Sequence, residues 1–456
     1  MSDSVNSEPA ERYPVTTEMV ENNVDHPVPE DQRAGRWSLS MAWWGLFSAM
    51  FWLYVGASSA DAVGAVNTVI GLTLSVLTYG VINAALSRYA ARTGMSVELL
   101  SRRIFGVVGA VVGPLVLAAT ALYYSVFEGS IVAVSFHQYF GGSINLWYLA
   151  CVAYMVPLVL GGIATWLDKL NGVLLPFYVA GIIAAIVATT AARGYPSDWF
   201  HQVPSTGPLP GWAVSYLIYM GVWILMMYTV DYARLASPSD QRFHAHVTFG
   251  WVFYLFTFGV NALVGIYLLS AWNIAGSETG VVDAIISSLG FVGVLVILIS
   301  QTRINTANYY LASDNLRLVA RMAGLRAPRA VWVIVVGVLA YLLMLTDVLS
   351  YLLTALAWQG VLVTGWVAIA LVHIASEGRI TIAPHIRRTL AVAAWVVSSV
   401  AGIALLVQDS NATAAQLAPL VTVVSAGGIY GVGLLVARSS ASPAVQSPAR
   451  TGTVEP

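Results

Sequence analysis

The stretch Trp37-Ser38-Leu39-Ser40-Met41-Ala42-Trp43-Trp44-Gly45-Leu46-Phe47-Ser48-Ala49-Met50-Phe51-Trp52-Leu53-Tyr54-Val55-Gly56-Ala57-Ser58-Ser59-Ala60 lies between Arg36 and Asp61 and carries no charge. A helix needs about 20 mainly apolar residues to cross the hydrocarbon core of a bilayer, and this stretch is long enough. Equivalent uncharged runs recur along the chain, for example Asp61 to Arg88, Arg103 to Glu128, Asp198 to Asp231 and Asp409 to Arg438. Charged residues make up 9% of the sequence and hydrophobic ones 58%, against roughly 25% charged in a soluble domain. So few charges cannot cover a water-exposed surface, so lipid is the expected surroundings. Backbone groups in lipid must be satisfied within the span, which predicts helices. Barrel strands would be shorter and alternating.

The expected fold class is therefore all-α integral membrane, with about twelve spans near 38–60, 64–87, 105–136, 145–164, 170–192, 210–232, 247–272, 283–312, 330–346, 348–375, 389–408 and 414–437. The twelve-helix domain covers 37–438, between tails 1–36 and 439–456 that are rich in Pro, Ser, Glu and Ala and read as disordered. Arginines gather after even-numbered spans: Arg88, Arg92, Arg102 and Arg103 after the second, Arg234 and Arg242 after the sixth, Arg317, Arg321, Arg326 and Arg329 after the eighth. The opposite loops hold only Arg193. By the positive-inside rule both termini are cytoplasmic in a cell membrane protein. The acidic N-terminal tail is unlike a secretory leader, and the lone Cys151 excludes a disulfide framework or a cysteine zinc site.

Several spans carry residues that lipid does not tolerate cheaply. Small residues around Gly56 in the first span read either as an unwound segment facing a ligand or ion or as close helix packing; Gly109 and Gly113 read as packing. Glu128, in Tyr123-Tyr124-Ser125-Val126-Phe127-Glu128-Gly129-Ser130, lies far from either end of the third span. A carboxylate there costs several kcal/mol unless it meets a polar cavity, a cation or a proton. Tyr124, four residues earlier, shares its face. The eighth span reads Gln301-Thr302-Arg303-Ile304-Asn305-Thr306-Ala307-Asn308-Tyr309. Thr302, Asn305 and Asn308 follow a three-residue spacing on one broad face. Arg303 is a permanent cation expected in the interior, where it needs an anion or a carbonyl; Glu128 is one arithmetically suitable partner. Trp223, deep in the sixth span, could stack on a flat solute or pack as core. His244 and His246 read as a solvated interface rather than a metal site.

Taken in order, these segments resemble nucleobase–cation symport family 1, the family of cytosine, hydantoin and allantoin permeases. The resemblance is carried by Val24 to Arg33 before the first span, by Ala91-Arg92-Thr93-Gly94-Met95-Ser96 with Leu99-Leu100-Ser101-Arg102 and Phe105-Gly106, by Thr229-Val230-Asp231-Tyr232-Ala233-Arg234, and by Thr306-Ala307-Asn308-Tyr309-Tyr310 with Ala312-Ser313. It implies a LeuT-type fold, in which two inverted five-helix repeats (about 38–193 and 210–377) surround a midplane site and two extra helices (about 389–437) follow. It also implies a planar heterocycle held by Tyr124, Glu128, Trp223 and Asn308, close to Gly56. Sodium-coupled relatives use adjacent hydroxyls that fall here on Thr302 and Arg303, together with carbonyls of the first helix. Arg303 departs from that pattern, so proton coupling through Glu128, or exchange, is expected instead of sodium. The implied protein is a monomeric secondary transporter, with a small heterocycle and the bilayer as partners and with no cofactor, metal or nucleic acid.

The rival readings are a carrier of amino acids or cationic amines on the same fold, and a membrane enzyme. No H-E-x-x-H, G-x-S-x-G or P-loop pattern supports the latter. The orientation is checked by cysteines introduced in a Cys151→Ala background: Ser197→Cys labels with an impermeant maleimide in intact cells, and Ala323→Cys labels only after permeabilisation. The reverse pattern would invert the topology.

Overall fold

A computed structural model describes residues 26–160, 167–201, 207–346, 352–408 and 412–440. The described chain is helical, with a single isolated bridge, Ala34 to Ala236, as its β-type pairing. We number the helices α1 (Arg36–Ser48), α2 (Phe51–Val63), α3 (Ala65–Thr93), α4 (Val97–Phe105), α5 (Val107–Phe140), α6 (Ile144–Leu160), α7 (Leu167–Arg193), α8 (Gly211–Met220), α9 (Ile224–Ala233), α10 (Pro238–Trp272), α11 (Glu278–Leu289), α12 (Phe291–Met322), α13 (Arg329–Met344), α14 (Leu352–Ser376), α15 (Pro384–Leu406) and α16 (Ala412–Ser440). Among the described residues, α3, α5, α7, α10, α14, α15 and α16 carry stretches long and apolar enough to cross a membrane. Two further spans are bent pairs: α1 and α2 meet at 44°, and α8 and α9 at 45°. Shorter α6 and α13, and the polar α12, fall where the fourth, ninth and eighth spans are expected.

The two bent pairs open the two halves that the resemblance implies, at 38–193 and 210–377. This placement of the two bends is what the LeuT-type fold implied by the resemblance requires. Polar α12 packs more extensively on α5 than on any other helix, so the two spans with the most costly side chains lie against each other. α15 and α16 pack on each other and on α14, which places the last two helices at the side of the bundle.

Two boundaries and the setting of His244 differ from expectation. The run 283–312 is two helices, because Gly290 turns at a φ of 57° between α11 and α12. The N-terminal tail is ordered from His26 instead of reading as disordered to residue 36: Val28, Arg33 and Ala34 are buried. The rest of that tail, 1–25, and 441–456 of the C-terminal tail lie outside the described residues. His244 is buried within a wide helical turn and hydrogen-bonds Thr248 at 2.8 Å, while His246 is exposed beside Arg88.

The buried N-terminal segment joins the motifs that resemble the symport family. Val28 N–H donates to the Gly94 carbonyl at 3.0 Å, and Ala34 N–H to the Leu235 carbonyl at 2.8 Å. The Arg33 guanidinium donates to the carbonyls of Ala91 and Ala236, both at 3.1 Å, and to that of Arg234. These carbonyls end α3 and α9, where helix dipoles favour a cation. Burial holds the Arg33 pKa below its ordinary value; Glu30 opposes that shift and Arg234 adds to it. Asp231 accepts from Val97 N–H at 2.7 Å and ties α9 to the start of α4. Gly94 sits at a φ of 71°, and a Cβ there would stand 2.7 Å from the Val28 carbonyl oxygen, so the junction requires glycine. Arg33→Ala is expected to lower stability by roughly 1.5–3 kcal/mol, seen as a lower melting temperature in detergent. Arg33→Lys recovers only part of it, because an ammonium lacks the guanidinium fork.

Candidate functional site

The first span stops being helical at Ala49, whose ψ is 130°. Breaking a helix inside a bilayer frees backbone groups that no water satisfies. Here four of them find side chains. The Leu46 carbonyl accepts from the Trp52 indole at 2.8 Å, and the Phe47 carbonyl from the Asn261 amide at 2.8 Å. The Ser48 carbonyl accepts from the Ser300 hydroxyl. The Met50 N–H donates to Gln301 Oε1 at 3.1 Å. Two of these four groups come from α12, so the break is docked on the polar span.

The second break covers Gly221 to Trp223. Short-range bonds from Gly221, Val222 and Trp223 N–H keep the chain turning there. The Gly221 carbonyl accepts from Gln359 of α14 at 3.0 Å, and the Tyr219 carbonyl from the Tyr79 hydroxyl at 2.7 Å.

Between the two broken spans lies a narrow cavity of ≈ 30 Å³, room for one or two waters, so a ring-sized solute needs the walls to move apart. It is lined by Leu46, Ala49, Phe51 and Trp52 of the first span, by Tyr124 and Glu128 of α5, by Leu225 and Tyr228 of α9, and by Ile304 and Asn308 of α12. The aromatic walls meet at an angle: Phe51 and Tyr124 lie 5.7 Å apart and inclined by 70°. The Tyr124 hydroxyl faces the Gln359 amide at 3.4 Å. Glu128, 2% exposed, accepts a hydrogen bond on Oε2 from Gln301 Nε2. Asn308 is equally buried, and its Nδ2 has no hydrogen-bond partner among the described residues. An unpaired buried donor costs about 1–3 kcal/mol, which a solute with an acceptor in this cavity would recover.

Tyr124, Glu128 and Asn308 therefore meet as the sequence pattern suggests. Gly56 does not join them: the backbone break comes earlier in the span, and α2 runs helically through Gly56. A Cβ on Gly56 would stand 2.4 Å from Ala262, so its small size serves close packing on α10. Trp223 packs edge-on against Tyr79, with centroids 6.4 Å apart, and does not line the cavity. Thr302 shares a hydrogen bond with Tyr154 of α6 at 3.2 Å. Arg303 is fully buried but does not meet Glu128; it donates to the Asn171 carbonyl of α7 at 3.1 Å. Asn305 donates to the Ser125 carbonyl at 3.3 Å.

Gln301 is the side chain that sequence reasoning passed over. Helical geometry could have found it. A three-residue step drifts by about 60° around a helix, whereas seven residues make nearly two whole turns. Gln301 and Asn308 therefore share one face, with Ile304 and Asn305 to either side of it, and Thr302 turns away. Among the described residues no cluster of metal-ligating side chains occurs.

No family model matches the chain, and no curated protein matches it in sequence. Solved structures do match. A closed, bromovinylhydantoin-bound structure of Mhp1, a nucleobase-cation-symport-1 family transporter, aligns with a TM-score of 0.71 at 14% identity, over 92% of this chain and 96% of that chain. Inward-facing Mhp1 aligns with a TM-score of 0.71 at 13% identity, over 91% and 93%. A Na+-coupled sialic acid symporter in a substrate-bound outward-open state gives a TM-score of 0.61 at 12% identity, over 94% and 93%. At such identities the likeness is one of fold. Gly56→Leu is expected to give little or no monodisperse protein on size exclusion, because the clash is with helix backbone; overpacking of even a relaxed core costs about 1–3 kcal/mol.

Proposed function

We propose that this chain is a secondary transporter of the nucleobase–cation symport type, which carries a small nitrogen heterocycle by alternating access around the cavity between the two helix breaks. The observation that carries the reading is that cavity: a buried carboxyl, a buried amide with an unused donor, and aromatic walls converge where both broken spans meet. One fold neighbour is solved with bromovinylhydantoin, a small nitrogen heterocycle, bound. A flat ring would rest against Tyr124, with Phe51, Trp52 and Tyr228 around it; Glu128 would accept from its donor edge, and Asn308 would donate to its carbonyl or ring nitrogen. The protein works in the cell membrane with both termini in the cytoplasm, as the arginine distribution argues.

Sodium is not the coupling ion in this reading. One of the two positions where the resemblance places sodium-binding hydroxyls holds Arg303, whose buried guanidinium donates to Asn171, and at the other Thr302 is turned to Tyr154. Carbonyls freed in the first span already accept from Asn261 and Ser300. A fixed cation contributes the charge that a bound ion would bring. Protons are the proposed coupling ion, with Glu128 as the group that exchanges them. The same carboxyl would also suit a cationic amine, a solute class that competition experiments separate.

Purified protein is expected to show thermal stabilisation by at least one of cytosine, uracil, hypoxanthine, allantoin or benzylhydantoin, without a requirement for sodium, and none by amino acids. Stabilisation by none of the rings would overturn the reading. Glu128→Gln lowers affinity for the stabilising ring by about tenfold or more, the cost of a hydrogen bond to a charged group, and removes proton-driven accumulation in proteoliposomes. Asn308→Ala weakens binding to a similar degree. Unchanged uptake in both variants at every pH would refute the assigned roles.

A further inference from the structure

We propose that Gln301 is a positioning residue that ties the state of Glu128 to the break in the first span; this rests on the reading of the cavity as a solute site. The argument starts from the two ends of one amide. Gln301 Oε1 accepts from the Met50 N–H at 3.1 Å, and Nε2 donates to Glu128 Oε2. A backbone N–H can only donate, so the atom facing Met50 must be the oxygen. The amide orientation is thereby set by the helix break, and the NH2 group must point at Glu128. Oε2 of Glu128 is then held as an acceptor. A proton taken up by this carboxyl, or a donor offered by a solute, is left with Oε1 and the second lone pair of Oε2.

The consequence is a direct mechanical link. A hydrogen bond to a carboxylate is roughly twice as strong as one between neutral groups. Neutralising Glu128, by a proton or by pairing with a bound solute, weakens the pull on Gln301 Nε2. The same amide then holds Met50 differently, at the residue where the first span bends. Ser300 reinforces the junction, since its hydroxyl reaches both the Ser48 carbonyl and, at 3.2 Å, Gln301 Oε1. Other titratable groups do not provide this link. Tyr124 of α5 faces Gln359, and Tyr178 of α7 hydrogen-bonds Asn261 at 2.8 Å. Arg303 is turned to Asn171. Gln301 alone joins the carboxyl and the broken backbone through one side chain among the described residues.

The test is a double-substitution cycle read by hydrogen exchange in full-length protein in lipid nanodiscs. Wild type, Glu128→Gln, Gln301→Leu and the double variant are compared at one pH on peptides covering residues 46–54. Glu128→Gln mimics the neutral carboxyl. It is expected to change exchange at the break by about two- to tenfold, what a hydrogen bond of ordinary net strength is worth, in the wild-type background and not in the Gln301→Leu background. An equal change in both backgrounds, or none in wild type, would overturn the proposal. Gln301→Met, which keeps the side-chain length, replaces Gln301→Leu if the latter is not monodisperse. Cytosine, added at saturation in a parallel arm, separates the two readings. If neither cytosine nor the other rings bind, the solute reading fails while the cycle still decides the link.

Discussion

A backbone amide inside a bilayer has no water to bond to, and the first span of this protein frees several at Ala49 and Met50. Everything around the cavity follows from how those groups are satisfied. Ser300 and Gln301 of α12, Asn261 of α10 and Trp52 of the span itself supply the partners. α12 must then be polar where a membrane helix is normally apolar, and it must lie against both the first span and α5. That packing brings Glu128 next to Gln301 and leaves Asn308 facing the same space. A continuous first helix would need none of these side chains and would leave no room for a solute.

Much of the fold was legible because lipid imposes a strict rule on composition. Uncharged runs of spanning length mark helices without any knowledge of packing. The exceptions arise where a local backbone feature overrides composition. Gly290 divides a run that reads as one span, because apolar residues on both sides of a positive-φ turn look continuous. Arg33 and Ala34 read as part of a polar tail, yet carbonyls at the ends of α3 and α9 bury them. Such contacts join residues 58 to 203 positions apart, and no local pattern announces them.

The site was legible in proportion to what each residue costs in lipid. Glu128 and Asn308 stand out because a carboxyl and an amide deep in a span need a reason to be there, and the structure gives both a place at the cavity. Arg303 stands out equally and has a different role, held by the Asn171 carbonyl away from Glu128. Gly56 and Trp223 are ordinary membrane residue types, whose function or packing depends on where the helix actually breaks. The first span breaks earlier than its cluster of small residues suggests, since glycine also lets helices approach closely. Gln301 was hidden by a choice of spacing: a seven-residue step identifies its face and a three-residue step does not.

A density map of the protein in nanodiscs, at a resolution that places side chains and waters, addresses the central claim most directly. The account predicts a first span interrupted at Ala49–Met50 and clamped by Ser300 and Gln301, beside a water- or solute-filled space bounded by Tyr124, Glu128 and Asn308. An unbroken first helix, or lipid tails or apolar side chains filling that space, would contradict it.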